Sequence, residues 1–240
     1  ITSQNTIILK DLRDIGKNSI LAIVAKQNNE FETKFCADDD IAAILYTSGT
    51  TGRSKGAMIS HKNLLSNAKT LADIWCISCK DTLLHILPIY HTHGLFVAFN
   101  SLMSAGGSIL FHKNFIVQDV IDALPKVTIL MGVPTHYNRL NLEKSLSKSV
   151  LNNVRLFISG SAPLSLKTHK EFEQKTSFSI LERYGMTETN MISSNPYNGK
   201  RKPGTVGLPL PGVNIRIRHR LTDEIIENGS VGIIEVKGSN

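Results

Sequence analysis

The sequence predicts an α/β fold of mainly parallel sheets covered by helices, with a smaller β-rich part at the C-terminal end. From residue 41 onward, short apolar β-rich runs alternate with helical patterns, which is typical of a parallel sheet covered on both faces. Loops rich in glycine and hydroxyl residues follow several of these strands, where ligands of such sheets bind. Hydrophobic residues make up 41% of the 240 residues, which is enough for a substantial core.

The elements follow in order from the first predicted strand, Ile41 to Tyr46. A glycine-rich loop and a short apolar strand, Ala57 to Ile59, come next, and Ser60 is a good N-cap for a helix over His61 to Trp75. Further strands are predicted over 83–87, 108–111, 127–131, 154–158 and 178–182, and further helices over 96–105, 117–124, 135–146 and 165–175. A polar segment over 196–203 precedes β-like runs over 213–218 and 231–237.

The change of pattern after residue 190 suggests how the chain is organised. We predict an incomplete lead-in over 1–37, an α/β core over 38–190, and a truncated β-rich part of the same large domain over 191–240.

Composition narrows the class of partner. The formal net charge of +7 could serve anionic ligands or could be purely compositional. No basic stripe interleaved with aromatic residues is present, which argues against nucleic acid binding, and no apolar run is long enough for a membrane span.

The three cysteines, Cys36, Cys76 and Cys79, give an odd count without a disulfide framework, which predicts a cytoplasmic protein. The C-x-x-C pair of Cys76 and Cys79 is by itself only a weak signal of a metal site. The oligomeric state stays open.

The loop from Tyr46 to Gly56 is the most informative stretch of the chain. Its glycines let successive backbone N–H groups turn toward one anion, its hydroxyls add rotatable donors, and Lys55 adds a positive charge. This composition predicts phosphate binding. The loop is not a Walker A motif, because Arg53 and Ser54 separate Gly52 from Lys55.

Four further motifs follow this loop in a set order: 87–95 (LPIYHTHGL), 159–164 (SGSAPL), 184–189 (YGMTET) and 204–212 (GTVGLPLPG). Together with the first loop they resemble the adenylate-forming, AMP-binding superfamily of acyl-CoA synthetases, luciferases and peptide-synthetase adenylation domains. The resemblance spans roughly residues 38–238, nearly the whole chain. It implies an acid–thiol ligase that uses ATP, Mg²⁺ and coenzyme A.

The resemblance also implies roles for individual residues. ATP binding would fall to Thr47, Ser48, Gly49, Thr50, Thr51, Gly52, Lys55, Ser159, Gly160, Ser161, Ala162, Tyr184, Gly185, Met186 and Thr187. The catalytic residues would be Thr187 near the α-phosphate, Glu188, His91 and Lys55. Glu188 would contact Mg²⁺, with Thr51 as a second candidate.

The identity of the acid depends on the acyl pocket, which the resemblance assigns to His91, Thr92, His93 and Met191. The chain is most similar to the malonyl-CoA synthetase subgroup, where an Arg at the position of Arg139 anchors the distal carboxylate. From this resemblance we expect malonate to be converted to malonyl-AMP and then to malonyl-CoA. The alternative interpretation of Arg139 is an exposed helical residue without a role in binding. The alternatives are a medium- or long-chain fatty acyl-CoA ligase and a non-catalytic nucleotide-binding relic.

Two pieces of the family pattern do not follow in this chain. No Thr-Gly-Asp, whose Asp would hold the ribose hydroxyls, comes after residues 204–212, and the C-terminal domain with its Lys is not represented. The resemblance therefore implies that this chain alone is weakly active or inactive. Whether a separate chain supplies that domain stays open.

Overall fold

The computed structural model describes residues 24–28, 30, 32–47, 54–226 and 229–240. The chain divides into two compact units, Ile1–Cys36 and Ala37–Asn240. In the first, Gln27 N donates a hydrogen bond to Val24 O at 3.0 Å and closes a turn. The strands and helices named below all belong to the second.

The second unit opens with an antiparallel hairpin of β1 (Ile41–Thr47) and β2 (Lys55–Ser60). Helix α1 (His61–Ile74) follows directly. Ser60 Oγ accepts a hydrogen bond from Asn63 N at 3.2 Å, and Asn63 Oδ1 accepts one from Ser60 N at 2.9 Å. This reciprocal pair is a capping box, which satisfies N–H groups that have no partner within the helix.

A seven-stranded sheet forms the centre of this unit, in the order β4-β3-β5-β6-β7-β8-β9. Its strands are β3 (Thr82–His85), β4 (Ser108–Phe111), β5 (Ile129–Gly132), β6 (Leu156–Ser159), β7 (Leu181–Met186), β8 (Asn190–Ser194) and β9 (Leu208–Pro209). Pairing is parallel from β4 through β7 and antiparallel for β7–β8 and β8–β9. The predicted α/β class with a mainly parallel sheet is confirmed.

The helices between these strands are short. After β3 a π-helix over His93–Phe99 continues as α2 (Asn100–Ser104). The remaining helices are α3 (Val117–Ala123), α4 (Pro134–Leu142) and α5 (Leu166–Thr176), with 3₁₀ turns at Leu124–Lys126 and Lys148–Leu151. A second antiparallel pair, β10 (Asn214–Arg218) with β11 (Ile233–Lys237), lies near the end of the chain.

The core lies on both faces of the parallel sheet. Leu83 and Ile129 face one buried cluster around Trp75, whereas the next residue on each strand, Leu84 or Leu130, faces the other. This is the two-residue period of a strand whose faces are both covered.

The structure differs from the predicted elements in several places. Strands β8 and β9 of the central sheet were not predicted, and the helix predicted over 135–146 ends at Leu142. The first strand pairs with β2 in its own hairpin rather than joining the central sheet. The strand predicted over 178–182 lies at Leu181–Met186, so the 184–189 motif forms the end of β7 and a tight turn. The helix predicted over 96–105 begins earlier, at His93, as a π-helix.

Because β3, β5, β6 and β7 run parallel, their carboxyl ends share one edge of the sheet. The loops that carry three of the motifs, 87–95, 159–164 and 184–189, leave from this edge. Within the described ranges, no helix is long and apolar enough to cross a bilayer.

Candidate functional site

A cavity of about 250 Å³ lies at the carboxyl edge of the sheet. Its walls come from the ends of β1 and β7, the start of the π-helix, and the turns after β6 and β7. The lining residues are Thr47, His91, Thr92, His93, Ser161, Arg183, Gly185, Met186, Thr187, Glu188 and Met191. The fold thus brings together all four residues of the expected acyl pocket with three of the four expected catalytic residues, His91, Thr187 and Glu188.

Arg183, on β7, contributes a buried positive charge to this cavity. The side chain is 4% exposed, and its Nε and Nη2 atoms have no hydrogen-bond partner among the described residues. Burial lowers the pKa of Arg183 to about 9, so the guanidinium is still charged at neutral pH. Burying a charge without a counter-charge costs several kcal/mol in free energy. An anionic ligand that accepts hydrogen bonds from Nε and Nη2 would offset that cost.

His93 and Thr92 add two more buried polar atoms without a partner in the described part of the chain, Nε2 and Oγ1. A hydrogen bond of 3.1 Å joins His93 Nδ1 to Ser161 Oγ. Burial, followed by the positive charge of Arg183, lowers the pKa of His93 well below its usual range. The imidazole is therefore neutral at pH 7 and can offer a hydrogen bond without adding charge.

His91 lies at the opening of the cavity with an exposed ring. Its Nδ1 accepts a hydrogen bond from His93 N at 3.1 Å, which fixes the ring against the start of the π-helix. Partial burial and the charge of Arg183 lower the pKa of His91. A neutral His91 therefore carries its proton on Nε2.

A second cavity of about 430 Å³ shares Ser161, Arg183 and Gly185 with the first. Its other lining residues are Ser159, Ala162, Pro163, Leu164, Glu182, Tyr184, Gly204 and Val206. An aromatic ring and several apolar side chains around a few polar groups suit a flat heteroaromatic ligand. Ser159, Ser161, Ala162, Tyr184 and Gly185 were expected to bind ATP, and the fold places them around this one cavity.

Glu188 lies in the turn between β7 and β8, exposed at the edge of the smaller cavity beside Thr187. Within the described ranges, no group of three or more His, Cys, Asp or Glu side chains could hold a metal ion. Mg²⁺ in nucleotide enzymes is commonly held by one or two carboxylates together with substrate phosphates and waters. A lone Glu188 at the opening of the cavity fits that mode of binding.

Several expected site residues are not among the described lining residues of either cavity. Arg139 is exposed on α4 with its Cζ 4.8 Å from the Phe115 ring centroid, and it lines neither cavity. Lys55 is exposed on β2, opposite Thr47. Gly160 is buried against the Arg183 guanidinium, where a Cβ would overlap that group. Ser48, Gly49, Thr50, Thr51 and Gly52 lie outside the described residues.

The profile described as "AMP-binding enzyme" matches residues 2–240. The chain belongs to the AMP-binding enzyme family. The resemblance stated from the motifs is thereby confirmed.

Within the AMP-binding family, similar proteins include malonate ligases. The mitochondrial malonate–CoA ligase ACSF3 of Mus musculus is 36% identical over 214 residues, which cover 82% of this chain and 36% of that protein. The crystal structure of ATP-bound MatB from Rhodopseudomonas palustris has a TM-score of 0.89 and 53% identity, covering 92% of this chain and 44% of that one. A malonyl-CoA ligase product complex with methylmalonyl-CoA and AMP bound has a TM-score of 0.78 and 37% identity, with 87% and 46% covered. The chain thus spans less than half the length of each of these relatives.

Sequence reasoning missed Arg183 as a site residue of this AMP-binding chain. It fell between the predicted strand, which ended at residue 182, and the motif, which began at Tyr184. A cation directly after an apolar strand, at the edge where ligands bind, was the signal that could have identified it.

Proposed function

We propose that this chain binds and adenylates a small dicarboxylate of the malonate type, as part of an ATP-dependent acid–thiol ligase. In the reaction, one carboxylate oxygen attacks the α-phosphorus of ATP and pyrophosphate leaves. The activated acyl group then passes from AMP to the thiol of coenzyme A. The main support is the buried Arg183 guanidinium, whose Nε and Nη2 lack partners in the described chain and which lines a cavity with Thr187 and Glu188.

The second carboxylate of the substrate would pair with Arg183, while a neutral His93 or the Thr92 hydroxyl adds a hydrogen bond. This arrangement holds the reacting carboxylate in one orientation. The nucleotide would occupy the larger cavity, with its purine near Tyr184 and Ala162. Ser161 and Gly185, which line both cavities, would lie where the two substrates meet.

Charge balance is the main chemical requirement, because ATP and the acid are both anionic. Mg²⁺, when bound, would neutralise phosphate charge and stabilise the leaving pyrophosphate. Glu188 would hold that ion, and the Thr187 hydroxyl would contact the α-phosphate. Lys55 and the hydroxyls of the glycine-rich loop would bind the outer phosphates.

A plain fatty acid fits this cavity less well. A long acyl chain needs an apolar tunnel, and its last carbons would have to pack against a charged guanidinium that has lost its water. The relatives named above as malonate–CoA or malonyl-CoA ligases support the dicarboxylate. Cytoplasmic location, coenzyme A use and weak activity of the isolated chain stay predictions.

Thermal unfolding with three stable acyl-adenylate mimics tests the proposal. The malonyl mimic is compared with acetyl and long-chain acyl mimics, for the wild type and for Arg183→Met, which keeps side-chain volume but removes the charge. A ligand at about 100 times its Kd adds about 2.7 kcal/mol to the stability of the native state. We expect the malonyl mimic to raise Tm most in the wild type, and Arg183→Met to abolish that preference while keeping the acetyl shift.

Arg139→Ala is the matched control, since it also removes one cation. If this variant abolishes the malonyl preference and Arg183→Met does not, the anchor is Arg139, as the family resemblance implied. A wild type that shifts most with the long-chain mimic overturns the dicarboxylate. A wild type that shifts with none of the mimics overturns adenylation by this chain.

A further inference from the structure

Asn195, directly after β8, uses every hydrogen-bonding group that it has. Its side chain is buried, and Nδ2 donates to Glu182 O at 3.1 Å and to Thr205 O at 2.6 Å. Oδ1 accepts from Lys202 N at 3.1 Å, and the backbone N donates to Glu182 O at 3.0 Å. One amide thus ties two points of the following loop to β7.

The loop held in this way, residues 196–207, forms one wall of the larger cavity. Gly204 and Val206 line that cavity together with Tyr184 and Ala162. Gly204 N donates to Glu182 Oε1 at 2.9 Å, and Gly204 has a φ of +76°, a backbone conformation that favours glycine. The position of the wall therefore depends on hydrogen bonds to Glu182 and Asn195 rather than on a strand or helix of its own.

Little else in the described structure could replace these bonds. Between Asn195 and β9 the chain has no regular secondary structure, and its polar backbone groups need partners where they are buried. Arg201 donates to Pro196 O and Tyr197 O within the loop, and to Ser179 O outside it. These bonds hold the first half of the loop, whereas Asn195 and Glu182 hold the half that reaches the cavity.

We infer that Asn195 is a positioning residue for nucleotide binding, because its hydrogen bonds fix the Gly204–Val206 wall of the larger cavity. The inference rests on the proposed function, in which the larger cavity takes the adenine of ATP. Asn195 does not line that cavity and would act only through the loop.

Asn195→Asp tests the inference with almost no change of size. The carboxylate keeps the acceptor for Lys202 N, but it loses both donors and turns an oxygen toward Glu182 O and Thr205 O. Asn141→Asp is the matched control: Asn141 Nδ2 also donates to a backbone carbonyl, Thr168 O at 3.0 Å, and Asn141 lines neither site cavity. For each chain, AMP affinity is measured by calorimetry, and hydrogen–deuterium exchange is measured over residues 197–206.

We expect Asn195→Asp to speed exchange over residues 197–206 and to weaken AMP binding at least about tenfold. Binding of pyrophosphate with Mg²⁺, which has no adenine, should stay unchanged. Asn141→Asp should leave loop exchange and both affinities as in the wild type, even if its Tm falls as much.

Unchanged AMP affinity in Asn195→Asp overturns the inference. Equal loss in both variants also overturns it, because general destabilisation would then be the cause. A wild type that binds no AMP overturns the proposed function and the nucleotide role of Asn195 together. In that case the exchange comparison still decides whether Asn195 holds the loop.

Discussion

Gly160 lies so close to Arg183 that the absence of a side chain at this position should affect the preference for one acyl group over another. A Cβ at this position would overlap Cζ, Nε and Nη1 of Arg183, which form the far end of a flexible side chain. We expect Gly160→Ala to displace the guanidinium while leaving the backbone in place. The preference for the malonyl mimic over the acetyl mimic should disappear, and Tm without ligand should hardly change. Thermal unfolding with both mimics measures the two effects in one experiment.

Gly185 provides the contrasting case for that prediction. A Cβ there would overlap the backbone oxygen of Asn190 and the Cα of Met191, so the β7–β8 pairing itself must open. Gly185→Ala should therefore destabilise the fold by about 1–3 kcal/mol or more. If Gly160→Ala destabilises the chain as strongly, the overlap strains the backbone and the argument about Arg183 does not hold.

At the same scale, local motifs predicted some site residues and could not predict others. His91, Thr187 and Glu188 were expected from the order of short motifs, and they line one cavity. The importance of Arg183 could not be predicted in the same way, since it depends on the buried guanidinium having nitrogen atoms without a hydrogen-bond partner in the described structure. Burial and pairing are properties of the packed structure, and a sequence pattern does not contain them.

Among the elements, α1 has the most clearly defined start. Ser60 Oγ accepts from Asn63 N, one of the N–H groups that would otherwise be unsatisfied. We expect Ser60→Ala to lower the free energy of unfolding by about 1 kcal/mol, as measured by urea denaturation. Ser149→Ala is the control, because Ser149 is exposed and, among the described residues, its hydroxyl bonds only Ser147 Oγ; its effect should stay within about 0.5 kcal/mol. Equal losses would mean that the cap contributes nothing specific.

The sequence predicted the existence of most elements better than their partners. The helix from His61 and the strand Ser108–Phe111 were predicted to within a residue, since periodicity and a capping residue are local signals. The separate β1–β2 hairpin was not predicted, because strand pairing depends on contacts distant in sequence. The π-helix at His93 was also missed, because a close contact of the folded chain accompanies it. Gly94 packs against Pro88 O so closely that a Cβ would overlap that oxygen.

For the whole molecule, the two ends of the parallel sheet have different tasks. The carboxyl end holds the cavities. At the amino end, hydrogen bonds join Asp81, Thr128 and Arg155, which directly precede β3, β5 and β6 in that order. Arg155 Nε and Nη2 donate to the two Asp81 oxygens at 2.7 and 2.8 Å, and Thr128 Oγ1 donates at 2.7 Å. Arg155 also donates to Trp75 O at 3.1 Å, which ties the end of α1 to the sheet.

This arrangement predicts how the stability of the fold depends on pH. Burial alone would raise the pKa of Asp81, but the hydrogen bonds from Arg155, Thr128 and Ser78 outweigh it and lower the pKa from 3.8 to about 2. The native state therefore gains stability on the order of 2 kcal/mol above pH 3.8, and loses it as the pH falls toward 2. Asp81→Asn should remove that gain at neutral pH and flatten the loss of stability between about pH 4 and 2.

Urea denaturation at a series of pH values measures this change, and the acyl-adenylate mimics measure whether it reaches the site. Because Asp81 lies at the edge opposite the cavities, Asp81→Asn should lower Tm and leave the order of preference among the mimics unchanged. Arg183→Met should instead change the preference among the mimics without lowering Tm, since it removes an uncompensated buried charge. If Asp81→Asn alters the preference among the mimics, the two ends of the sheet are coupled, and stability and specificity cannot be varied separately in this fold.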